Sequence, residues 1–256
     1  MTKVYLVNLD RSVARLEHMR RQFAALGLEV ERVSATDGSS IDLTPYAGSG
    51  LLPGEIGCFL SHREIWEKLV RSEEEYALVL EDDVRLSRDL PGLLSALDWV
   101  PGSAGLVKLD TSGGLIGVAK SGSRAPCRRS LHLLRTHHGG TAGYIVSRAY
   151  AARLLAGSTT LREAVDHFMF GHDAVANDDG QIWQLIPALV AQEKRFSPTP
   201  DQEFESLIQP NRRRRRSFPR RLLRSLGKPF SWLAGATERL YRSATGDIRF
   251  VKMTFR

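Results

Sequence analysis

The chain reads as an α/β fold with a mostly parallel sheet and flanking helices. Three observations predict this. Lys3 to Asn8 is an apolar, β-favouring run, followed by a helical stripe of Val13, Leu16, Met19, Phe23 and Leu26, then a second apolar run from Leu28 to Val33. Strand, helix and strand in about 30 residues make a βαβ unit, with two parallel strands and a right-handed crossover. Strand-length runs then keep alternating with helical periodicity, the pattern of a parallel sheet covered by helices. Acids also follow the runs, at Asp10, Asp37, Glu81 to Asp83 and Asp110. Open α/β sheets bind ligands beyond the carboxyl ends of their strands, so these acids are expected along one sheet edge.

In chain order, Ser12 suits the N-cap of the first helix and Gly27 its end. Thr36-Asp37-Gly38 closes the second strand, and residues 39–53 form a loop rich in Gly, Ser and Pro. Gly54 to Val70 places Ile56, Phe59, Leu60, Ile65, Trp66 and Leu69 at helical spacing. Tyr76 to Leu80 is an apolar strand that stops at three carboxylates. A short helix is expected over 88–97, and Gly105 to Leu109 is a further strand ended by Asp110. Residues 111–140, rich in Gly and Ser, suit a hairpin and a loop. Thr141 to Val146 reads as a strand and Ser147 to Leu155 as a helix. Residues 157–180 look irregular, and Ile182 to Val190 is a late strand interrupted by Pro187.

At 256 residues the chain suits one large domain or two small ones. Cys58 and Cys127 form no CxxC pair, so neither a zinc ribbon nor a disulfide framework is indicated. The apolar run Val4 to Val7 is too short for a signal peptide, and no segment approaches the ~20 apolar residues of a membrane span. A cytoplasmic protein is the default expectation. No GxGxxG or GxxxxGK[ST] follows the first strand, which argues against a dehydrogenase or a P-loop NTPase.

The net charge of +7 is unevenly spread. Residues 211–256 hold 14 Lys/Arg against 2 Asp/Glu, a net of +12, and the first 210 a net of −5. The tail opens with Arg212, Arg213, Arg214, Arg215 and Arg216, and continues with Arg220, Arg221 and Trp232 among Leu and Phe residues. A basic amphipathic segment suits the anionic inner face of a membrane. A solvated basic tail is the plainer alternative. Nucleic acid is not expected as a partner, because no reading motif accompanies the charge.

Glu81, Asp82 and Asp83 repel one another unless something offsets their charge. A polar loop is the bland reading; a hard divalent cation, Mn²⁺ or Mg²⁺, is the sharper one. His137, His138, His167 and His172 lack the partner spacing of a zinc site.

Four stretches together resemble glycosyltransferase family 25. They are Val4-Tyr5-Leu6-Val7-Asn8-Leu9-Asp10-Arg11 with Arg15; Ser34-Ala35-Thr36-Asp37-Gly38; Gly54-Glu55-Ile56-Gly57-Cys58-Phe59-Leu60-Ser61-His62 on to Trp66 and then Leu80-Glu81-Asp82-Asp83; and Gly140-Thr141-Ala142-Gly143-Tyr144 with Val165-Asp166. The likeness covers about residues 3–195 and leaves out the basic tail. It implies a GT-A-like fold, with a nucleotide-sugar half over about 1–110 and an acceptor half over 111–210. It implies a UDP-sugar donor, most often UDP-galactose, and a lipooligosaccharide or related glycan acceptor. Asp83, with Glu81 or Asp82, would hold the metal in place of a DxD motif; Glu81 is the expected second ligand and Asp82 falls on the donor side. Asn8, Asp10, Arg11, Arg15, Asp37, Gly38 and His62 fall on the donor side, and Thr141 and Tyr144 on the acceptor side.

Inversion at the anomeric carbon needs a general base, by analogy with the inverting glycosidases. Asp110, Asp166 and Glu55 are candidates, and each could equally be a helix cap or ion-pair partner; Asp166 could alternatively complete the metal shell. Asn8 to Arg15 could be an ordinary helix start, Asp37-Gly38 a turn, and His62 a structural helical histidine. The expectation is a metal-dependent inverting glycosyltransferase, peripheral on the inner face of the cytoplasmic membrane. The reading from another class is a non-catalytic, basic-tailed adaptor for membrane or nucleic acid.

Overall fold

The computed structural model describes residues 2–177, 179–196 and 246–256. The βαβ unit forms as its pattern requires: β1 (Lys3–Asn8) and β2 (Glu31–Ser34) pair in parallel across α1 (Val13–Leu26). Met19 and Phe23 of the stripe are buried. Gly27 ends α1 in the left-handed region at φ 63°, its N–H and that of Leu28 donating to the Ala24 and Phe23 carbonyls. The second strand begins later than its apolar run, at Glu31 rather than Leu28.

A second crossover, α2 (Pro53–Arg71), returns the chain to β3 (Tyr76–Glu81), parallel to β1. Then come β4 (Val84–Leu86), α3 (Leu90–Leu94), β5 (Leu106–Lys108), β6 (Asp110–Thr111), β7 (Leu115–Ala119), β8 (Ser123–Ala125) and β9 (Arg129–Leu133). β10 (Gly143–Ser147), α4 (Arg148–Gly157), α5 (Val165–Phe170), α6 (His172–Ala176), β11 (Ile182–Ile186), β12 (Val190–Gln192) and β13 (Ile248–Lys252) complete the described elements. The stretch 157–180, expected to be irregular, thus contains two short helices. The late strand is split near Pro187, which has no N–H to give a ladder.

The main sheet has eight strands in the order β2-β1-β3-β10-β5-β11-β9-β8. Six point the same way; β10 and β9 run against them. β3 lies deep in this sheet, and Ala77 to Leu80 are each 0% exposed. Its side chains alternate between two cores. Leu78 and Leu80 join Val4, Leu6, Met19 and Phe23 beneath α1, while Ala77 and Val79 join Tyr5, Val7, Phe59 and Trp66 beneath α2. Burial on both faces explains why the strand reads as an unbroken apolar run. Each such leucine contributes about 2 kcal/mol by leaving water.

A small sheet, β4-β12-β6, sits just past the carboxyl end of β3. In it Gln192 lies opposite Val84, two residues after Asp82. β13 pairs antiparallel with β7. Residues 246–256, expected in the basic tail, therefore pack on the body, with Met253 2% exposed. The expected boundary near 210 and the arginine-rich segment lie outside the described residues. Among the described residues no helix is long and apolar enough to cross a membrane.

Candidate active site

β1, β2 and β3 end at the same sheet edge because they are parallel, and the site is built there. Its floor is backbone. The loop after β2 presses on the first turn of α2 so closely that a Cβ on Gly38 would overlap the Pro53 carbonyl, and one on Gly57 would lie 2.6 Å from the Gly38 nitrogen. Ser61 Oγ accepts from the Thr36 N–H at 2.9 Å and donates to the Gly57 carbonyl at 2.7 Å. Arg11 and Asp37 form an ion pair across the loop. Gly38, Gly57 and Ser61 thus clamp the second and third sequence stretches together.

The three carboxylates have three fates. Asp82 turns toward α1: Asn8 Nδ2 donates to its Oδ2 at 2.7 Å and Arg15 Nη1 to its Oδ1 at 3.1 Å. Burial pushes this carboxyl above its usual range, against the pull of Arg15 and Asn8. Glu81 accepts from Thr141 Oγ1 at 2.6 Å and has His62 Nε2 at 3.6 Å from the same oxygen. Burial alone would raise it, but His62, Thr141 and Lys108 together hold it below the usual range. Asp83 is 6% exposed, and its Oδ1 is buried without a hydrogen-bond partner. Burial, followed by repulsion from Glu81, raises it to about 7.

Behind Glu81 stands a buried chain of polar groups. Tyr144 Oη accepts from Trp66 Nε1 at 3.1 Å and is bonded to His62 Nδ1 at 2.9 Å. Both His62 and Tyr144 are 0% exposed. Burial raises the Tyr144 phenol far above its ordinary value, so it stays neutral.

Two cavities meet at the acids. The first, about 360 Å³, is bounded by Asn8, Arg11, Arg15, Asp37 and Gly38 on one side and Glu81 to Asp83 on the other. The second, about 610 Å³, is bounded by Glu55, Thr141, Asp166, His137, Lys194 and Arg195. Cys58, Glu81 and Gln192 line both. The residues fit a hard divalent cation: Glu81 and Asp83 offer carboxylate oxygens, and the bare Asp83 Oδ1 is a buried acceptor in need of a positive partner.

Several expected site residues do not reach a cavity. Asp10 faces Arg32 and Ser34 at the sheet edge, and their hydrogen bonds lower its pKa. His62 and Tyr144 lie in the core, because α2 and β10 turn those positions onto the Trp66 face. They support Glu81 from behind instead of touching donor or acceptor. Asp110 is 3% exposed and ion-paired with Lys108 Nζ at 2.7 Å, which sets it beneath the cavities; burial raises it to about 6. Asp166 does face the second cavity, accepting from the Gly140 N–H at 3.1 Å and the His167 N–H at 2.9 Å. So does Glu55, which caps α2 by accepting from the Leu52 N–H at 2.9 Å. Gln192 and Lys194 were missed. Gln192 ends, and Lys194 follows, a short strand about 110 residues beyond the acids, and only the β4–β12 pairing brings them in.

An α/β body with paired cavities around a carboxylate cluster has the layout of a group-transfer enzyme with a donor and an acceptor. The comparisons with known proteins specify the class. The model of Glycosyltransferase family 25 (LPS biosynthesis protein) matches residues 1–169. The chain belongs to this family and is a glycosyltransferase. It is 30% identical over 258 residues to the Lacto-N-neotetraose biosynthesis glycosyltransferase LgtB of Neisseria meningitidis serogroup A, covering 88% of this chain and 90% of that one. It is 28% identical over 223 residues to a putative glycosyltransferase of Haemophilus influenzae, covering 82% and 76%. A Glycosyltransferase 25 family member of Aedes aegypti is 39% identical over 100 residues, 33% of this chain and 16% of that one.

Proposed function

We propose that the protein is a metal-dependent, inverting glycosyltransferase that moves a sugar, galactose, from a UDP-sugar to a lipooligosaccharide or related glycan. One observation carries the reading: two cavities join at Glu81, and beside it in the first a buried oxygen of Asp83 has no partner. The relatives named for lacto-N-neotetraose biosynthesis support a glycan acceptor.

In this reading the donor occupies the first cavity, with Arg11 and Asp37 at its mouth. The clamped 36–38 loop supplies rigid backbone around it. Glu81 and Asp83 would hold Mn²⁺ or Mg²⁺, which when bound offsets the charge growing on the departing diphosphate. Thr141 fixes Glu81, and Asn8 and Arg15 fix Asp82, so the acids do not reorganise during transfer. The acceptor hydroxyl enters from the second cavity, where Asp166 takes its proton. Asp166 is held at both oxygens by backbone N–H groups and keeps lone pairs free for that role. The shared lining at Cys58, Glu81 and Gln192 is where the anomeric carbon passes between partners.

UDP-sugar hydrolysis and transfer, measured with and without Mn²⁺, test this directly. Turnover should need the metal, and Asp83→Asn should lower kcat about 10²-fold or more with the fold intact by circular dichroism. Equal turnover in a metal-free, chelator-treated sample would end the reading. The arginine-rich segment 212–232, in the same proposal, seats the enzyme on an anionic inner membrane next to a lipid-linked acceptor. Removing 197–245 should abolish sedimentation with anionic liposomes; unchanged sedimentation would refute that part.

A further inference from the structure

α2 presents Cys58 and His62 one turn apart on the same face, and Glu81 meets them at the end of β3. A thiol sulfur, an imidazole nitrogen and a carboxylate oxygen from these three residues all lie within 4.8 Å of one another. The chain shows no CxxC and no paired histidines, so this group is not visible as a spacing motif. We infer that Cys58, His62 and Glu81 form a second cation site, selective for a thiophilic ion such as Zn²⁺ and distinct in ligand chemistry from the hard-cation site at Glu81 and Asp83.

Three further observations support it. His62 Nε2 is wholly buried, makes no hydrogen bond, and faces Glu81 Oε1 at 3.6 Å. The other ring nitrogen is bonded to Tyr144 Oη, whose position Trp66 fixes. Such an outer partner is what orients a ligating imidazole. With Nδ1–H donated to Tyr144 Oη, the Nε2 lone pair is left for an ion. Finally, Cys58 and Glu81 line both cavities, so an ion has a path in from solvent.

The ligand set is mixed sulfur, nitrogen and oxygen, which selects Zn²⁺ or Co²⁺ over Mg²⁺ and Mn²⁺. Tetrahedral ligand atoms around zinc sit about 3.3–3.8 Å apart, so side-chain shifts of about 1 Å would close the site. Binding forms a metal–sulfur bond and releases the thiol proton to solvent. Three protein ligands leave a fourth position for water, open toward the cavities. Because Glu81 belongs to both sites, a thiophilic ion and Mn²⁺ compete for it.

Co²⁺ titration of the metal-free full-length chain tests this without an activity assay. A thiolate-to-cobalt charge-transfer band in the near ultraviolet should appear and saturate, and Zn²⁺ should bleach it. Cys58→Ser should abolish the band, whereas Cys127→Ser, on the other free and exposed cysteine, should keep it. Asp83→Asn should also keep it, which separates this site from the hard-cation site. No band in the wild-type chain, or a band that survives Cys58→Ser, overturns the inference.

Discussion

The two cavities that share Glu81 are built by different means. The first is walled mainly by segments that leave the ends of parallel strands, Asn8 to Arg11 after β1, Ala35 to Ser39 after β2 and the acids after β3, and is closed by the first turns of α2. Its closest contacts are backbone against backbone, at Gly38, Pro53 and Gly57. The second is walled largely by side chains from stretches far apart in the chain, among them Ser112–Ile116, His137–Thr141, Ala164–Asp166 and Gln192–Arg195. A backbone-built wall tolerates no added atoms but is indifferent to much side-chain change. A side-chain wall can be rewritten residue by residue without disturbing the fold. On the proposed assignment, and leaving the carboxylates aside, substitution in the donor wall should therefore cost stability and substitution in the acceptor wall should cost turnover.

Asp166→Asn offers the largest test of that contrast. It keeps the size of the side chain and one of the two hydrogen bonds that Asp166 accepts, so stability should fall by only about 1–2 kcal/mol. Loss of the base should lower kcat about 10²- to 10⁴-fold. Glu55→Gln, on the same cavity, should instead lose only part of a helix cap, about 1 kcal/mol, with kcat largely kept. If the two kinetic effects are reversed, the proton goes to Glu55 and the assignment to Asp166 fails.

Gly57→Ala attacks the donor side. The new methyl would lie 2.6 Å from the Gly38 nitrogen, with backbone rather than a flexible side chain in its way. Overpacking of this kind costs about 2 kcal/mol, which lowers Tm by about 4–8 °C for a chain of this size. A differential scan showing an unchanged Tm would mean that the 36–38 loop is not clamped to α2.

A pH dependence is seated in the acceptor wall. His138 Nδ1–H donates to Gln184 Oε1 at 2.7 Å, while Nε2 is buried without a partner. Burial, followed by the charge of Lys108, lowers this imidazole to about 3. An unfolded histidine titrates near ~6.5. As pH falls through that value the unfolded chain takes up the proton first, so stability is full above it and is lost toward pH 3. The loss between pH 7 and 5 should be about 2 kcal/mol from this residue. Asp83 has the opposite sign: its raised value favours the protonated, folded form, so its contribution is lost as pH rises toward 7. Urea melts at the two pH values, wild type against His138→Gln, isolate the histidine. Equal slopes in both proteins would show that His138 is not held neutral.

Much of the donor side was legible because it depends on local patterns. The stripe of α1, its glycine stop, and the apolar runs of β1 and β3 are short-range signals. A parallel βαβ arrangement then puts the residues after each strand on one edge. The glycines of the Gly54–Gly57 stretch were readable as a motif but not as a reason. Only the packed loop shows that a side chain at Gly57 would meet Gly38. Gln192 and Lys194 were illegible, since no local feature of Val190–Gln192 points to the acids.

The sequence alone determined the order of strands and helices from β1 to β3, the carboxylates at the end of β3, and the family, since each follows from periodicity or an ordered set of short motifs. Tertiary structure decided what each carboxylate does. Asp82 and Asp83 are neighbours in the chain, yet one is spoken for by Asn8 and Arg15, 74 and 67 residues away, and the other is left bare. Asp110 is neutralised by Lys108, and Tyr144 is turned into the core with His62. The direction of a side chain at a strand end is set by the partners that packing brings to it, and those partners come from distant parts of the chain.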